Sequence, residues 1–176
     1  VPLPASAEAL CASAALGERV AALLDPESDV PGVTVGDIRP ELRPIARISH
    51  SENRAINPLA GELAVTAGWG YAGRGGIVMP GQGKIQEGRT SEAHPSYDIH
   101  LNATVYWANV PAAVWEYTLG GYQVLKKWLS YREQRILGRD LTADEAREFT
   151  ASARRIAALL ALEEELDANY ARVRQG

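Results

Sequence analysis

Residues 109–139 read NVPAAVWEYTLGGYQVLKKWLSYREQRILGR, and the rest of the chain is organised around this run. It holds two tryptophans, three tyrosines, a double glycine and five basic residues. Pro111 suits a turn or the first position of a short helix, where its fixed φ is already helical and its missing N–H is not needed. Gly120-Gly121 inside a helix would cost about 1 kcal/mol per residue relative to Ala, so a break is predicted there and not one helix from 111 to 136. From Tyr122 onward, Tyr122, Leu125, Leu129 and Ile136, with Trp128 alongside, form one apolar helix face. Lys126, Lys127, Ser130 and Glu133 occupy the remainder, and Gly138 stops the helix as a C-terminal cap.

Working outward, Thr142-Ala-Asp-Glu145 is a capping box that opens a last helix. Its stripe runs Ala146, Phe149, Ala153, Ile156, Leu160 and continues through Leu162, Leu166, Tyr170 and Val173. The two helices joined by residues 138–141 are expected to pack as an αα-hairpin. Upstream, residues 97–110 alternate: Ile99, Leu101, Ala103, Val105 and Trp107 against His100, Asn102, Thr104 and Tyr106, the period of half-buried strands. Residues 59–90 carry nine glycines around short β-type runs at 62–66, 77–79 and 84–86. Residues 6–25 read as a helix capped by Ser6 and ended by Asp25-Pro26, followed by a Pro- and Gly-rich loop to about Pro44. The expected fold class is α+β: a small antiparallel, Gly-rich sheet packed with a C-terminal αα-hairpin and an N-terminal helix. The expected division is an N-terminal helix and linker over 1–58, a β-rich core over 59–119 and a helical hairpin over 120–176.

At 176 residues the chain fits one domain, or one domain with a helical appendage. A chain that opens on Val1 and holds one methionine, Met79, reads as a piece of a longer protein. No apolar run approaches eighteen residues, so no membrane span is expected. Cys11 is the single cysteine, which excludes an internal disulfide and fits a reducing cytoplasm. The net charge of −4 speaks against a nucleic-acid partner until its distribution is considered. Residues 1–42 sum to −5, residues 43–90 to +3 and residues 91–176 to −2, and within the last segment residues 126–139 hold five basic side chains against Glu133 alone. Local sign governs where a phosphate backbone can sit, although charge runs are usually solvated faces.

Signals for catalysis are absent. Gly68-Trp-Gly70-Tyr-Ala-Gly73 matches the letters of a dinucleotide motif, but Arg74-Gly75-Gly76 and a β-type run follow where a helix must open. Lys84 follows Gly83, yet Ile85 stands where a phosphate loop requires Ser or Thr. His50, His94 and His100 lack zinc or metalloprotease spacing, and His100 on its strand reads as a hydrogen-bonded sheet residue. No nucleophile elbow is present. Catalytic, cofactor and metal residues are therefore expected to be none. The Gly-rich segment reads differently: Trp69, Tyr71, Arg74, Gln82, Lys84 and Arg89 stand on loops with little competing acid. Arg, Lys and Gln pair with base edges and aromatics contact bases or sugars, while the bland alternative makes Trp69 and Tyr71 core. Lys126, Lys127 and Arg132 form a basic helix edge suited to phosphates or to plain solvation.

The run from Val114 to Trp128, with residues 97–102 and 105–107 before it, resembles the C-terminal specificity domain of single-polypeptide Type ISP restriction–modification enzymes and related adenine-specific DNA methylases. Val114, Trp115, Tyr117, Gly120, Gly121, Tyr122, Gln123, Val124, Lys127 and Trp128 carry that resemblance, and TAGWGYAGRGG and MPGQGK are similar to the family's upstream block. It covers roughly residues 60–170. The resemblance implies a target-recognition domain that binds duplex DNA beside a methyltransferase domain of the same parent chain. The Asn-Pro-Pro-Tyr signature is absent, so S-adenosylmethionine is expected in that other domain and not here. The competing class is a docking module that packs on the methyltransferase without reading bases.

Overall fold

Ser6 caps the first helix as its position suggests: the Ala9 N–H donates to Ser6 Oγ at 3.1 Å, and helix α1 runs Ala7–Leu24. The computed structural model describes residues 6–70, 83–88 and 95–175. Helix α1 buries Leu16 and Leu23 against two helices from the far end of the chain, α5 (Ala143–Leu160) and α6 (Glu163–Gln175). Ser13 bonds Asn169 at 3.2 Å and Arg19 pairs with Glu165 at 2.7 Å across that contact. Arg155, buried on α5, donates to the carbonyls of Ala22 (2.8 Å) and Ser28, so a cation sits at the negative end of α1.

The sheet comprises β1 (Arg47–His50), β2 (Ile85–Glu87), β3 (Ser96–His100) and β4 (Val105–Pro111), in the order β1-β4-β3-β2, all antiparallel. Ile48, Trp107, Ile99 and Ile85 lie opposite one another across the four strands and make one apolar row. Trp107 stacks on Phe149 of α5 with ring centroids 4.0 Å apart, and its indole N–H donates to the Ala146 carbonyl at 3.3 Å. The alternation over 97–110 is thus real but interrupted. Asn102 turns the chain, its Oδ1 accepting from the N–H groups of Thr104 (3.0 Å) and Val105 (2.9 Å), and Ala103 falls on the exposed turn.

Residues 62–66 do not form the strand expected of them. Leu63, Ala64 and Val65 are buried, but their carbonyls are taken by groups that no neighbouring strand supplies. Asn102 Nδ2 donates to Glu62 O and Ala64 O, both at 2.9 Å, while the Gln134 N–H reaches Val65 O (2.9 Å) and the Leu141 N–H reaches Leu63 O (3.1 Å). Backbone satisfaction without a ladder leaves the segment irregular. The run at 84–86 appears as β2, shifted by one residue, and the run at 77–79 lies outside the described residues.

Pro111 precedes a short helix α2 (Ala112–Glu116). Gly120 and Gly121, at φ +59° and +83°, form the two-residue turn of a small hairpin, β5 (Thr118–Leu119) with β6 (Tyr122–Gln123). Two consecutive positive-φ positions define the turn type whose twist matches an antiparallel pair, so the break is a hairpin and not a kink. Tyr122 therefore belongs to a strand and is exposed, and helix α3 starts two residues later, Val124–Ser130. The single helix expected to reach Ile136 ends there. A second one, α4 (Gln134–Leu137), follows and is closed by Gly138, and Ile136 is exposed instead of joining the apolar face. The capping box at Thr142 is fully made. The long last helix is likewise two, α5 and α6, with the break at residues 161–162. Glu163, Glu164 and Glu165 then occupy the first turn of α6, where acids favour a new helix N-terminus.

One apolar cluster joins Leu23, Val33, Leu42 and Ile45 to Trp107, Leu129 and Phe149, so the Pro- and Gly-rich stretch after α1 contributes core. The fold is α+β, with a C-terminal helical hairpin, as the sequence suggests. Glu145 joins the helical parts: its carboxylate takes Arg139 at 2.7 and 3.0 Å and the Thr142 N–H at 2.8 Å. The Arg139 guanidinium first, and then the Thr142 N–H, lower its pKa from an ordinary 4.5 to about 2 against the opposing effect of burial. The folded value lies below the unfolded one, so this stabilisation is present above pH 4.5 and is lost as pH falls toward 2. Acid unfolding of Glu145→Gln, followed by circular dichroism, is expected to be less steep in that window than that of the natural chain, with lower stability at neutral pH.

Candidate nucleic-acid interface

Strand alternation places the remaining sheet residues on the face opposite Trp107. Lys84 O accepts the His100 N–H at 3.0 Å, His100 lies opposite Tyr106, and Tyr106 lies opposite Ser49, which makes one polar row. Gln86 opposite Asp98, with Ala108 opposite Arg47, makes the next. A register shift beside Asp98 accommodates Asn109 at φ +56°, whose N–H donates to Asp98 Oδ1 at 3.0 Å. The helices that touch the sheet, α2 and α5, bring Trp115 and Phe149 to the apolar cluster on the other side. Among the described residues, then, one sheet face is packed and the other carries Lys84, Gln86, Tyr106, Ser49, Arg47 and the acid Asp98, with His100 buried among them.

His100 is the fixed centre of this face. Its ring stacks on Tyr106 at 5.0 Å, Nε2 lies 3.2 Å from Gln86 Oε1, and Nδ1 lies 3.4 Å from Asn102 O. Burial, and next the charge of Lys84, push its pKa below the ordinary histidine value, so the imidazole is neutral at physiological pH. It is the hydrogen-bonded sheet residue expected from the alternation.

Beside the sheet, the residues flanking 71–82 are held at a single base. Glu133, only 2% exposed, accepts the Trp69 N–H at 2.6 Å and the Gly70 N–H at 2.9 Å on one oxygen and Arg135 Nε at 2.6 Å on the other. The Gly83 N–H donates to Gly68 O at 2.7 Å, and Gly83, at φ +57°, lies so close to the Trp69 ring that a Cβ there would fall inside it. Trp69 in turn meets Trp115 edge to face at 5.3 Å. Trp69 is 1% exposed, so of its two readings it takes the core one. The glycine letters around it do not make a phosphate cradle, because the N–H groups of residues 69 and 70 already face a carboxylate.

The other residues singled out by sequence separate. Lys84 is exposed on the polar face, and Tyr71, Arg74, Gln82 and Arg89 lie outside the described residues. Lys126, Lys127 and Arg132 stand on the helical side. Lys127 Nζ sits 3.5 Å above the Tyr122 ring, and Arg132 lies 4.0 Å over Trp128 and 3.3 Å from Glu148. The sequence does not single out Arg47, Ser49, Gln86 and Tyr106, which strand register brings to the polar face. Tyr106 lay in plain view as a polar member of the alternation, and Gln86 within a β-type run. Arg47 and Ser49 sit on a strand of only four residues, too short for alternation to declare itself. Among the described residues no three His, Cys, Asp or Glu side chains are grouped to hold a metal, and no helix is long and apolar enough to cross a membrane.

Replacing Glu133 by Ala leaves two buried N–H groups without an acceptor and is expected to cost about 3 kcal/mol or more in urea unfolding. Gly83→Ala is expected to destabilise as well, and Trp69 fluorescence should shift because the ring must move from the substituted Cβ.

The model of the Type ISP C-terminal specificity domain matches residues 1–160 of the chain. No curated protein and no solved structure matches it. The match takes in α1 and the Pro- and Gly-rich stretch, where the resemblance visible in the sequence began only near residue 60. The family match takes in residues 1–160 of 176, nearly the whole length, and the chain belongs to the Type ISP C-terminal specificity domain family.

Proposed function

We propose that this chain is the target-recognition module of a Type ISP restriction–modification polypeptide and that it reads duplex DNA with the polar face of its sheet and the glycine-rich segment rooted beside it. The observation that carries this reading is the face itself: Lys84, Gln86, Tyr106, Ser49 and Arg47, with Asp98 among them and the buried His100 beneath as a fixed support, line one side of an antiparallel sheet with hydrogen-bonding groups. A solvated sheet face is common, but one that carries Lys, Arg and Gln in a specificity-domain family has the residue types that pair with base edges and phosphates. Sheets are among the elements that enter DNA grooves. Tyr71, Arg74, Gln82 and Arg89 are further candidates by residue type alone, and phosphate contacts supply affinity while base edges supply choice. Methyl transfer and its S-adenosylmethionine belong to a methyltransferase domain of the same polypeptide, for which this module selects the site.

A second reading, docking on that methyltransferase domain, is favoured by Leu59. It is 97% exposed on a short turn (Pro58–Ala60) braced by Arg54 bonding Glu62 at 2.6 Å, beside an apolar recess lined by Ile48, Ile56, Pro58 and Leu63. The two readings separate in the full-length polypeptide. Lys84→Ala together with Gln86→Ala is expected to weaken duplex binding about tenfold or more and to relax the sequence preference of methylation, since a good base contact is worth about 1–3 kcal/mol. Unchanged affinity and unchanged methylation sites would sink the reading role. Leu59→Asp lowering methylation equally at every site, with preference intact, would establish docking there.

A further inference from the structure

The hairpin of β5 and β6 carries an apolar pair that the described chain leaves uncovered. Leu119 and Tyr122 lie directly opposite each other beside the Gly120-Gly121 turn, so their side chains share one face of the ribbon. Both are more than half exposed, at 62% and 53%. The next pair turns toward the body, where Gln123 Nε2 donates to the Trp115 carbonyl at 3.3 Å. The tip stands clear: a Cβ on Gly120 or Gly121 would meet nothing within 4 Å. Lys127 of α3 holds its ammonium 3.5 Å from the centre of the Tyr122 ring, which orients the ring and sets a cation beside the apolar pair. Among the described residues no carboxylate lies within ion-pair distance of Lys126 or Lys127. Residues 116–132 hold Lys126, Lys127 and Arg132 against Glu116 alone, and of these only Arg132 is engaged by an acid, Glu148.

The hairpin is also rooted where the glycine-rich segment is rooted. Trp115, whose carbonyl takes Gln123, meets Trp69 edge to face at 5.3 Å, and Trp69 lies against Gly83, the residue before Lys84. We propose that the hairpin is a wedge for duplex DNA: Leu119 and Tyr122 enter between two base pairs, and Lys127 takes an adjacent phosphate. The proposal rests on the reading of the polar face as the DNA surface. Size and charge together select this occupant. Two side chains are too little for a stable protein interface, which buries about 1,200 Å² or more, whereas DNA-kinking proteins insert apolar wedges at single base steps. A cation without an acid, set beside the apolar pair, matches the phosphate that flanks every step. The tip of two glycines carries no side chain that would hold the backbone away from the bases. Opening a step is easier for some sequences than for others, so the wedge adds choice through deformability where the polar face reads base edges.

The test is the bend and the affinity of a duplex bound by the full-length polypeptide, the duplex carrying a site that the polypeptide methylates and end labels for fluorescence energy transfer. The natural protein should bend it by about 20–90° and bring its ends together. Leu119→Ala with Tyr122→Ala should reduce that bend and weaken binding about tenfold, with the salt dependence unchanged, because apolar contacts release no counterions. Both side chains are exposed, so the melting temperature should stay within about 1–2 °C. Tyr122→Phe, which keeps the ring, should keep the bend. Lys127→Ala should make the salt dependence shallower by about 0.9 in log–log slope. No bend by the natural protein, or an unchanged bend and affinity in the double variant while Lys84→Ala with Gln86→Ala weakens binding, overturns the wedge and leaves the reading face standing. Methylation lowered at every site with bend and affinity intact would mean that the hairpin docks on protein, and overturns the wedge as well. Binding insensitive to all of these substitutions overturns the reading face and the wedge with it.

Discussion

A buried carboxylate cannot remain without partners, and Glu133 shows what that constraint accomplishes here. Its two oxygens collect the N–H groups of Trp69 and Gly70 and the guanidinium of Arg135, so the junction between α3 and α4 is bound to the entry of the glycine-rich segment. Backbone bonds from the Gln134 N–H to Val65 O and from the Leu141 N–H to Leu63 O tie the preceding residues to the same helical region. The helical region thus replaces a neighbouring strand for residues 63–70. It holds Trp69 against Gly83 and satisfies the backbone of an irregular stretch in the core, while the Trp69 indole N–H is buried without a partner among the described residues. The polar face of the sheet is positioned from this base, because Lys84 follows Gly83 directly.

The apolar face is organised by aromatic contact. Trp107, Trp128 and Phe149 meet pairwise at 4.0–6.3 Å, bringing β4, α3 and α5 to one point. With that side occupied, alternation puts Tyr106 and His100 on the other face, where the buried His100 stacks on the half-buried Tyr106 and gives that face a fixed centre. The proposed recognition surface and the core packing are therefore two sides of the same strands, separated by a single residue step.

Much of this was legible in the sequence wherever the signal is local. Ser6, Pro111, Gly138 and the Thr142–Glu145 box mark element boundaries by their own backbone chemistry, and each does so in the structure. Non-local determinants were not legible. Residues 62–66 have strand composition, but their carbonyls are satisfied by Asn102, Gln134 and Leu141, partners that no periodicity reveals. The helices after Gly121 and Thr142 were each read as one because apolar spacing continues through their breaks. It is the buried turn at Glu133 and the three acids opening α6 that divide them. At the candidate site Lys84 was found from composition, whereas Arg47, Ser49 and Gln86 acquire meaning only from strand register. Trp69 reads as a recognition residue from its glycine neighbours, whereas in the structure the distant Gly83 gives its ring room in the core.

The contact between α1 and the last two helices has a consequence for the order in which the domain is completed during synthesis. Ser13 and Arg19 find their partners at Asn169 and Glu165, about 150 positions later. Contacts of such sequence separation close late, since the loop entropy must be lost before they form. Helix α1 therefore leaves the ribosome with its apolar side uncovered and waits until α5 and α6 have followed. The first helix to be made is the last to be seated, so the domain reaches its final form only once its C-terminal helices are free to fold onto it.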